Sequence, residues 1–509
     1  MKNYLFILFL ISFSLNADNI FQEAASSLRK NIKKTVFPNG LTLIQMKRSS
    51  SPTLALYTKF KVGSSDETPE IAGTAHMLEH MLFKGTTNVG TKNFAEEKKY
   101  FTLLKATGHE LDQLKLEKRN LLQKELKVSD TIEKRIIELT RRLKAIEEKQ
   151  KEFIIPSEDS YIYEQHGQVG FNAYTSYDVT NYQIKLPSNR LEIWAKMESD
   201  RLHSPILREY YTERDVIMEE RRMRIENRGF GILREKFLSL AFDRSAYGRP
   251  VIGYESNIPF LDIYETENFF KEHYTPDNMV IAIVGDLEFE ATEKIIEKYF
   301  GFLKPSNKKK EQRITEKSFL GEKRISFKHP GGSILMMGFH KPNYPHKDSI
   351  VFDLIDSILT RGASSRLYKE ALQKEKLVSS ISAWSSDPGE RHSNLFTIFA
   401  NLNSDASPEK LEEVIWKEID KLKKGEFSEE EISRAKNNST ADFLREIDSN
   451  ANLADGLTFY ELLTNNWEDM FITYEKFNSV TKEDIQRIAN KYFVKENSNI
   501  GFLDSRGTK

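Results

Sequence analysis

His76, Glu79 and His80 have the residue types and spacing of a metal-binding helix with a built-in base. They sit in Gly73-Thr74-Ala75-His76-Met77-Leu78-Glu79-His80-Met81-Leu82-Phe83-Lys84-Gly85, which reads as one helix starting at a Gly-Thr cap and stopping at Gly85. Residues at i and i+4 leave one helix face about one turn apart, so the two imidazoles point the same way. Two neutral imidazoles so placed can grip one Zn²⁺, and a carboxylate beside them can take a proton from a water activated there. Met77, Leu78, Met81 and Leu82 supply apolar packing around the rest of the helix. With so little histidine in the chain, H-x-x-E-H arises by chance on the order of 0.01 times, so the inverted zincin reading outweighs that of a core helix with two stray histidines.

A catalytic zinc usually takes three protein ligands, and this motif supplies two. A helix expected from about Glu209 to Asn227 carries Glu213-Arg214-Asp215-Val216-Ile217-Met218-Glu219-Glu220-Arg221-Arg222. Glu213 and Glu220 are seven apart, two turns along one face, and Glu219 points elsewhere. Taken alone, the interleaved arginines would make this a salt-bridged surface helix. The missing third ligand favours the metal reading.

Other elements must hold these two helices in place. Val36 to Ile44, with Asn39-Gly40 at its centre, reads as strand, tight turn, strand. Leu54 to Val62 reads as a further strand, and Gly170 to Tyr182, rich in Tyr, Thr and Val, as a single one. An edge strand near a metal could bind an extended peptide through main-chain hydrogen bonds. A helix follows from about Leu191 to Leu202. Between Phe94 and Ile155, Ile132, Ile136, Leu139, Leu143, Ile146 and Phe153 recur at 3-4 spacing, with Gln150 filling the one polar position, Leu104, Leu111, Leu114, Leu121 and Leu122 giving a looser version upstream, and a turn at Val128-Ser129-Asp130. This predicts a coiled-coil-like helical hairpin projecting from its domain, its charges forming a solvated face or a docking surface. Excision of Thr102 to Glu152 is then expected to leave a folded protein.

The 509 residues allow two or more domains, and a net charge of −1 gives no global basic field for nucleic acid. The absence of cysteine excludes disulfides, thiolate ligands and a cysteine nucleophile. Lys2, the apolar run Tyr4 to Leu15 and Ala17 read as a secretory signal peptide over residues 1–17, predicting export to the periplasm or another extracytoplasmic space. No other stretch is long and apolar enough for stable membrane insertion.

The halves repeat. Helix, Tyr274-Thr275-Pro276-Asp277-Asn278 and the strand Met279 to Val284 recur as helix, Tyr492, Asn497 and a strand near Ile500, an offset of 492 − 274 = 218 at the tyrosines. Polar residues around 304–318 link the two. His340 and His346 have no carboxylate at helical spacing and read as surface histidines.

The metal helix, Asn172-Ala173-Tyr174-Thr175 and the Glu213/Glu220 helix together resemble the insulinase/pitrilysin metallopeptidases, including mitochondrial processing peptidase beta-type subunits and bacterial homologues. Tyr247-Gly248-Arg249-Pro250 and Gly285-Asp286 extend the resemblance over most of the mature chain. It implies an α+β fold of two homologous α/β sandwich-like domains, each a sheet covered by helices, enclosing a cleft. The domains would be 18–303, carrying the hairpin as an insertion at about 95–160, and 319–509, without a metal site. It also implies one Zn²⁺ per chain on His76, His80 and Glu220, Glu79 as general base, Glu213 tuning the site, and Asn172 and Ala173 touching the substrate main chain. The activity implied is endopeptidase cleavage of peptides or unfolded segments; the alternative is a non-catalytic structural or chaperone-like subunit.

Two departures stand out. The step from His80 to Glu220, 220 − 80 = 140 residues, is longer than the family's usual spacing, and the hairpin accounts for the excess. The arginine and tyrosine that active single-chain relatives use on the tetrahedral intermediate fall on Leu372 and Ser379, or with a one-residue slip on Gln373 and Ser380. The resemblance therefore implies a partner: a heterodimer with a homologous metal-free subunit, or a homodimer.

Overall fold

The computed structural model describes residues 23–306, 316 and 321–506. The signal-peptide reading at 1–17 and most of the 304–318 linker lie outside them.

The chain forms two compact units. Among the described residues, one comprises 34–221 and 250–306, the other 23–33, 222–249, 316 and 321–506. The first unit is built on six strands: β1 (Ile32–Val36), β2 (Thr42–Lys47), β3 (Thr53–Phe60), β4 (Val169–Thr175), β5 (Thr180–Pro187) and β6 (Met279–Gly285), in the order β1-β2-β6-β3-β5-β4. The β1–β2 turn is the expected Asn39-Gly40 turn, with Gly40 at φ 87° and its N–H on the Phe37 carbonyl. β6 lies between two neighbours, so all seven of its residues are buried, and its apolar sequence follows from that.

The stretch expected as one strand from Gly170 to Tyr182 is instead the β4–β5 hairpin. Ser176 turns the chain: its hydroxyl accepts from the N–H groups of Asp178 and Val179, and its own N–H meets the Val179 carbonyl at 2.9 Å. A serine that closes a turn on its own backbone outweighs the β-propensity of the surrounding Tyr, Thr and Val residues.

The second sheet holds β7 (Lys323–Lys328), β8 (Ile334–Lys341), β9 (Val378–Asp387), β10 (Asn394–Leu402) and β11 (Ser498–Asp504), in the order β7-β11-β8-β10-β9. Strand for strand this repeats β2-β6-β3-β5-β4, including one parallel pair, β2 with β6 and β7 with β11. The expected duplication is thus present, with one adjustment of register. Asn278 donates to the carbonyls of His273 and Lys61, and Asn497 donates to those of Tyr492 and His340. These equivalent locks set the offset at 497 − 278 = 219, so Tyr492 matches His273 and not Tyr274. His340 is no surface residue: it is 5% exposed, and burial pushes its imidazole down to about 4.

In sequence, the strands of one sheet all precede residue 304 and those of the other all follow residue 318, but the compact units interleave along the chain. Residues 222–249 belong with the second sheet because Leu233 and Phe237 pack where Gly338 and Gly501 leave room; a Cβ on Gly338 would stand 2.7 Å from the Phe237 ring.

Candidate metal centre

Helix α1 (Thr74–Met81) carries the three motif residues. It is shorter than the Gly73–Gly85 span expected, and its start is fixed from outside the helix. The buried carboxylate of Glu67 accepts from the N–H groups of Gly73 and Ala75 at 3.0 and 2.7 Å, satisfying donors that every helix N-terminus leaves open. Gly73 takes φ 104° with its Cα against Gly253; a Cβ there would come within 2.9 Å of the Ile252 carbonyl oxygen. After Met81 the chain turns through Gly85, at φ 88°.

Along the chain come the hairpin helices α2 (Phe94–Gln123) and α3 (Asp130–Lys151), then α4 (Leu191–His203) and α5 (Tyr210–Arg221), the helix expected to bring the third ligand. It ends at Arg221 and passes into a π-helical turn over Arg222–Glu226.

The folding brings His76, His80 and Glu220 together: one ligating atom from each lies within 4.8 Å of the others. Glu220 Oε2 is 3.7 Å from His76 Nε2 and 3.5 Å from His80 Nε2. The two rings are 4.7 Å apart at 69°, turned so that both Nε2 atoms meet the same carboxylate. Two imidazole nitrogens and one carboxylate oxygen, with no thiol, form a donor set that suits zinc and leaves a coordination position open.

Glu213 stands behind this group. Its Oε1 is 2.8 Å from His80 Nδ1, and its Oε2 takes a 2.7 Å ion pair from Lys84. With Nδ1 carrying the proton, Nε2 of His80 is left as the lone-pair face toward Glu220. Burial raises the Glu213 carboxyl, but hydrogen bonds from His80 and Lys84 overcome it and bring it down to about 2. For His80 burial again opposes the charged form, and the hydrogen bonds to Glu213 and Glu220 raise it to about 9. A histidine that prefers to be cationic, set between carboxylates, marks a place arranged for positive charge.

Glu79 is 9% exposed and accepts a 2.6 Å hydrogen bond from Thr175 Oγ1 at the end of β4. Among the described residues β4 ends the six-stranded sheet and pairs only with β5, placing Asn172 opposite Gln183 and Ala173 opposite Tyr182. Asn172 is exposed and Ala173 buried. A cavity of about 510 Å³ opens here, lined by Glu79, His80, Phe83, Phe171, Asn172 and Glu213 among others.

Every site residue expected from sequence is therefore in one neighbourhood. The reading missed Thr175, present in the quoted strand but given no part, and Lys84, inside the motif stretch. It missed Glu67 too, whose signal was only an acid six residues before a glycine that starts a helix. Leu372 is packed against the second unit's core, and Ser379 is exposed with its hydroxyl 3.4 Å from the Asn401 carbonyl.

Two family profiles match the chain: "Insulinase (Peptidase family M16)" over residues 43–112 and "Peptidase M16 inactive domain" over residues 262–439. The first span holds His76, Glu79 and His80; the second holds none of the metal cluster. A zinc protease PqqE of Helicobacter pylori is 27% identical over 488 residues, 94% of this chain and 94% of that protein. A probable mitochondrial-processing peptidase subunit beta of Arabidopsis thaliana is 22% identical over 471 residues, 90% of this chain and 75% of that protein. The crystal structure of a protease from Helicobacter pylori has the same fold, with a TM-score of 0.76 at 24% identity over 93% of this chain and 99% of that one.

Proposed function

The chain belongs to the insulinase (M16) family of peptidases, and from that premise we propose that it is a zinc-dependent endopeptidase acting on peptides or unfolded protein segments. One observation carries the reading: His76, His80 and Glu220 converge on one point, with Glu79 beside them bonded to the end of an open edge strand.

His76, His80 and Glu220 would hold one Zn²⁺, Glu213 orienting His80 through Nδ1. Zinc in that place supplies Lewis-acid polarisation of a carbonyl and brings the pKa of water to about 7. Glu79 takes the proton from the attacking water and returns it to the leaving amine. Asn172 and Ala173 offer main-chain groups on the free side of β4, where an extended substrate can pair without regard to most of its side chains. The cavity by Phe83 and Phe171 gives room to one substrate side chain.

Leu372 and Ser379 offer neither a cationic donor nor a phenol, which favours a partner chain: a homologous metal-free subunit, or a second copy. The same feature is what favours the rival reading of a non-catalytic structural or chaperone-like subunit. We take 18–303 and 319–509 as the homologous halves, with the hairpin at about 95–160 inserted in the first. The leader at 1–17 points to an exported, periplasmic protein, and no described helix is long and apolar enough to cross a membrane. Metal analysis of the purified chain, with peptide-library cleavage by wild type and Glu79→Gln, tests the proposal. Bound zinc with cleavage lost in the variant supports it; a metal-free chain that cleaves nothing supports the rival.

A further inference from the structure

The helical hairpin does not stand clear of its domain. Its first helix, α2, meets α5, the helix of Glu213 and Glu220, at two buried contacts, and the segment just before α5 at a third. Arg214 Nη1 and Nη2 donate to the two oxygens of Asp112 at 2.8 and 3.2 Å, and Nη1 also reaches the Leu261 carbonyl at 3.1 Å. This pair is 8% and 2% exposed, and the guanidinium is centred 4.6 Å over the Tyr211 ring. One turn before Asp112, Gly108 meets Tyr211 so closely that a Cβ would lie 2.0 Å from the ring. Near the root, Glu97 and Arg208 form an ion pair with no exposure on either side, and Gln150 of α3 donates to the same carboxylate at 3.1 Å. Arg208 in turn donates to the carbonyls of Lys84, Thr86 and Val89, in the loop that follows α1.

One face of α5 thus meets the metal cluster while another, about 100° away at Arg214, is held by the hairpin. A two-point guanidinium–carboxylate pair fixes orientation as well as distance. Its loss would leave an uncompensated buried charge on the residue next to Glu213. Resting on the metal reading above, we propose that Asp112 is a positioning residue for Glu213 and Glu220: the inserted hairpin sets where α5 stands relative to α1, and so the strength of metal binding.

The test is zinc affinity of the full-length chain, by competition with a chelating dye, with melting points of metal-free and zinc-loaded protein. Asp112→Asn is expected to weaken zinc binding by about tenfold to a hundredfold, the range of changes behind a ligand, and to shrink the rise in melting point that zinc produces. Gly108→Ala leaves the ion pair in place, displaces Tyr211, and is expected to act in the same direction. Glu110→Ala, also on α2, which removes only an exposed pair with Arg135 of α3, should leave affinity unchanged. If both inner variants keep wild-type zinc affinity while losing equal stability with and without metal, the hairpin is merely structural and the inference is overturned. A wild-type chain that takes up no zinc overturns the metal reading, and this inference with it.

Discussion

The hydroxyl of Thr175 donates to Glu79 at 2.6 Å, so the edge strand and the metal helix are joined by a partly buried hydrogen bond. The bond fixes which oxygen of Glu79 faces the cluster and ties the base to the strand proposed to hold substrate. Glu79→Gln is expected to retain zinc and lose hydrolysis by about 10²- to 10⁴-fold, the usual contribution of a positioned base. Thr175→Val should also keep zinc but lower kcat more than it changes KM. Metal analysis beside steady-state kinetics reads both.

Neighbouring acids on α5 should behave differently. Glu220→Gln is expected to lower zinc occupancy sharply, since Glu220 Oε2 faces both Nε2 atoms. Glu219→Gln should leave occupancy unchanged. Glu213→Gln should weaken zinc binding about tenfold to a hundredfold and lower the rate, because His80 Nδ1 loses its charged acceptor. Equilibrium dialysis of the three variants checks the order.

The metal-free protein should show opposite pH limits from two groups. His80 is raised to about 9, so its contribution to stability is complete below its ordinary 6.5 and lost as pH climbs through 9. Glu213 is lowered to about 2, so its contribution is complete above 4.5 and lost as pH falls through 2. Zinc must displace the His80 proton, so apparent zinc affinity should rise about tenfold per pH unit up to about pH 9. Melting curves between about pH 2 and pH 10, with zinc titrations between about pH 5 and pH 9, test both, and Glu213→Gln, which removes a carboxylate that holds the His80 proton, should end the rise in zinc affinity at a lower pH.

Excising Thr102 to Glu152 should not be silent, contrary to a free-standing hairpin. It removes Asp112 and Gln150, leaving buried Arg214 and Glu97 short of partners. The broken Arg214–Asp112 ion pair costs about 3–5 kcal/mol. Replacing only the tip, residues 121–130, by a short turn should cost almost nothing, since Leu122 and Leu126 are more than half exposed at 56% and 52%. Denaturant unfolding of the two deletions distinguishes them.

A partner chain should raise activity. Donors aimed at the developing oxyanion contribute about 10²- to 10³-fold, and Leu372 and Ser379 supply none. kcat/KM of the purified chain, alone and mixed with a homologous subunit carrying an arginine and a tyrosine at those positions, is expected to differ by about that factor. Equal values would place the donors within this chain.

The sequence alone determined the parts whose information is local. H-x-x-E-H at helical spacing fixes the direction of two imidazoles without any tertiary contact, and Asn39-Gly40 fixes its own turn. The seven-residue step from Glu213 to Glu220 places both acids on one helix face wherever that helix packs. The doubled pattern of helix, asparagine and strand announced two related sheets, although matching tyrosine to tyrosine missed the true register by one residue.

Tertiary structure decided what depends on partners distant in sequence. Thr175 became part of the site only when β4 was laid beside α1, and Glu67 became a helix cap only across a bend in the chain. His340 is buried by residues that precede it by about a hundred positions, its Nε2 on the Ala241 carbonyl. The hairpin's own 3-4 spacing correctly gave two helices, but spacing describes only the seam between them. Whether Asp112 meets water or a buried arginine is settled by what packs on the far side, and no periodicity within α2 records that.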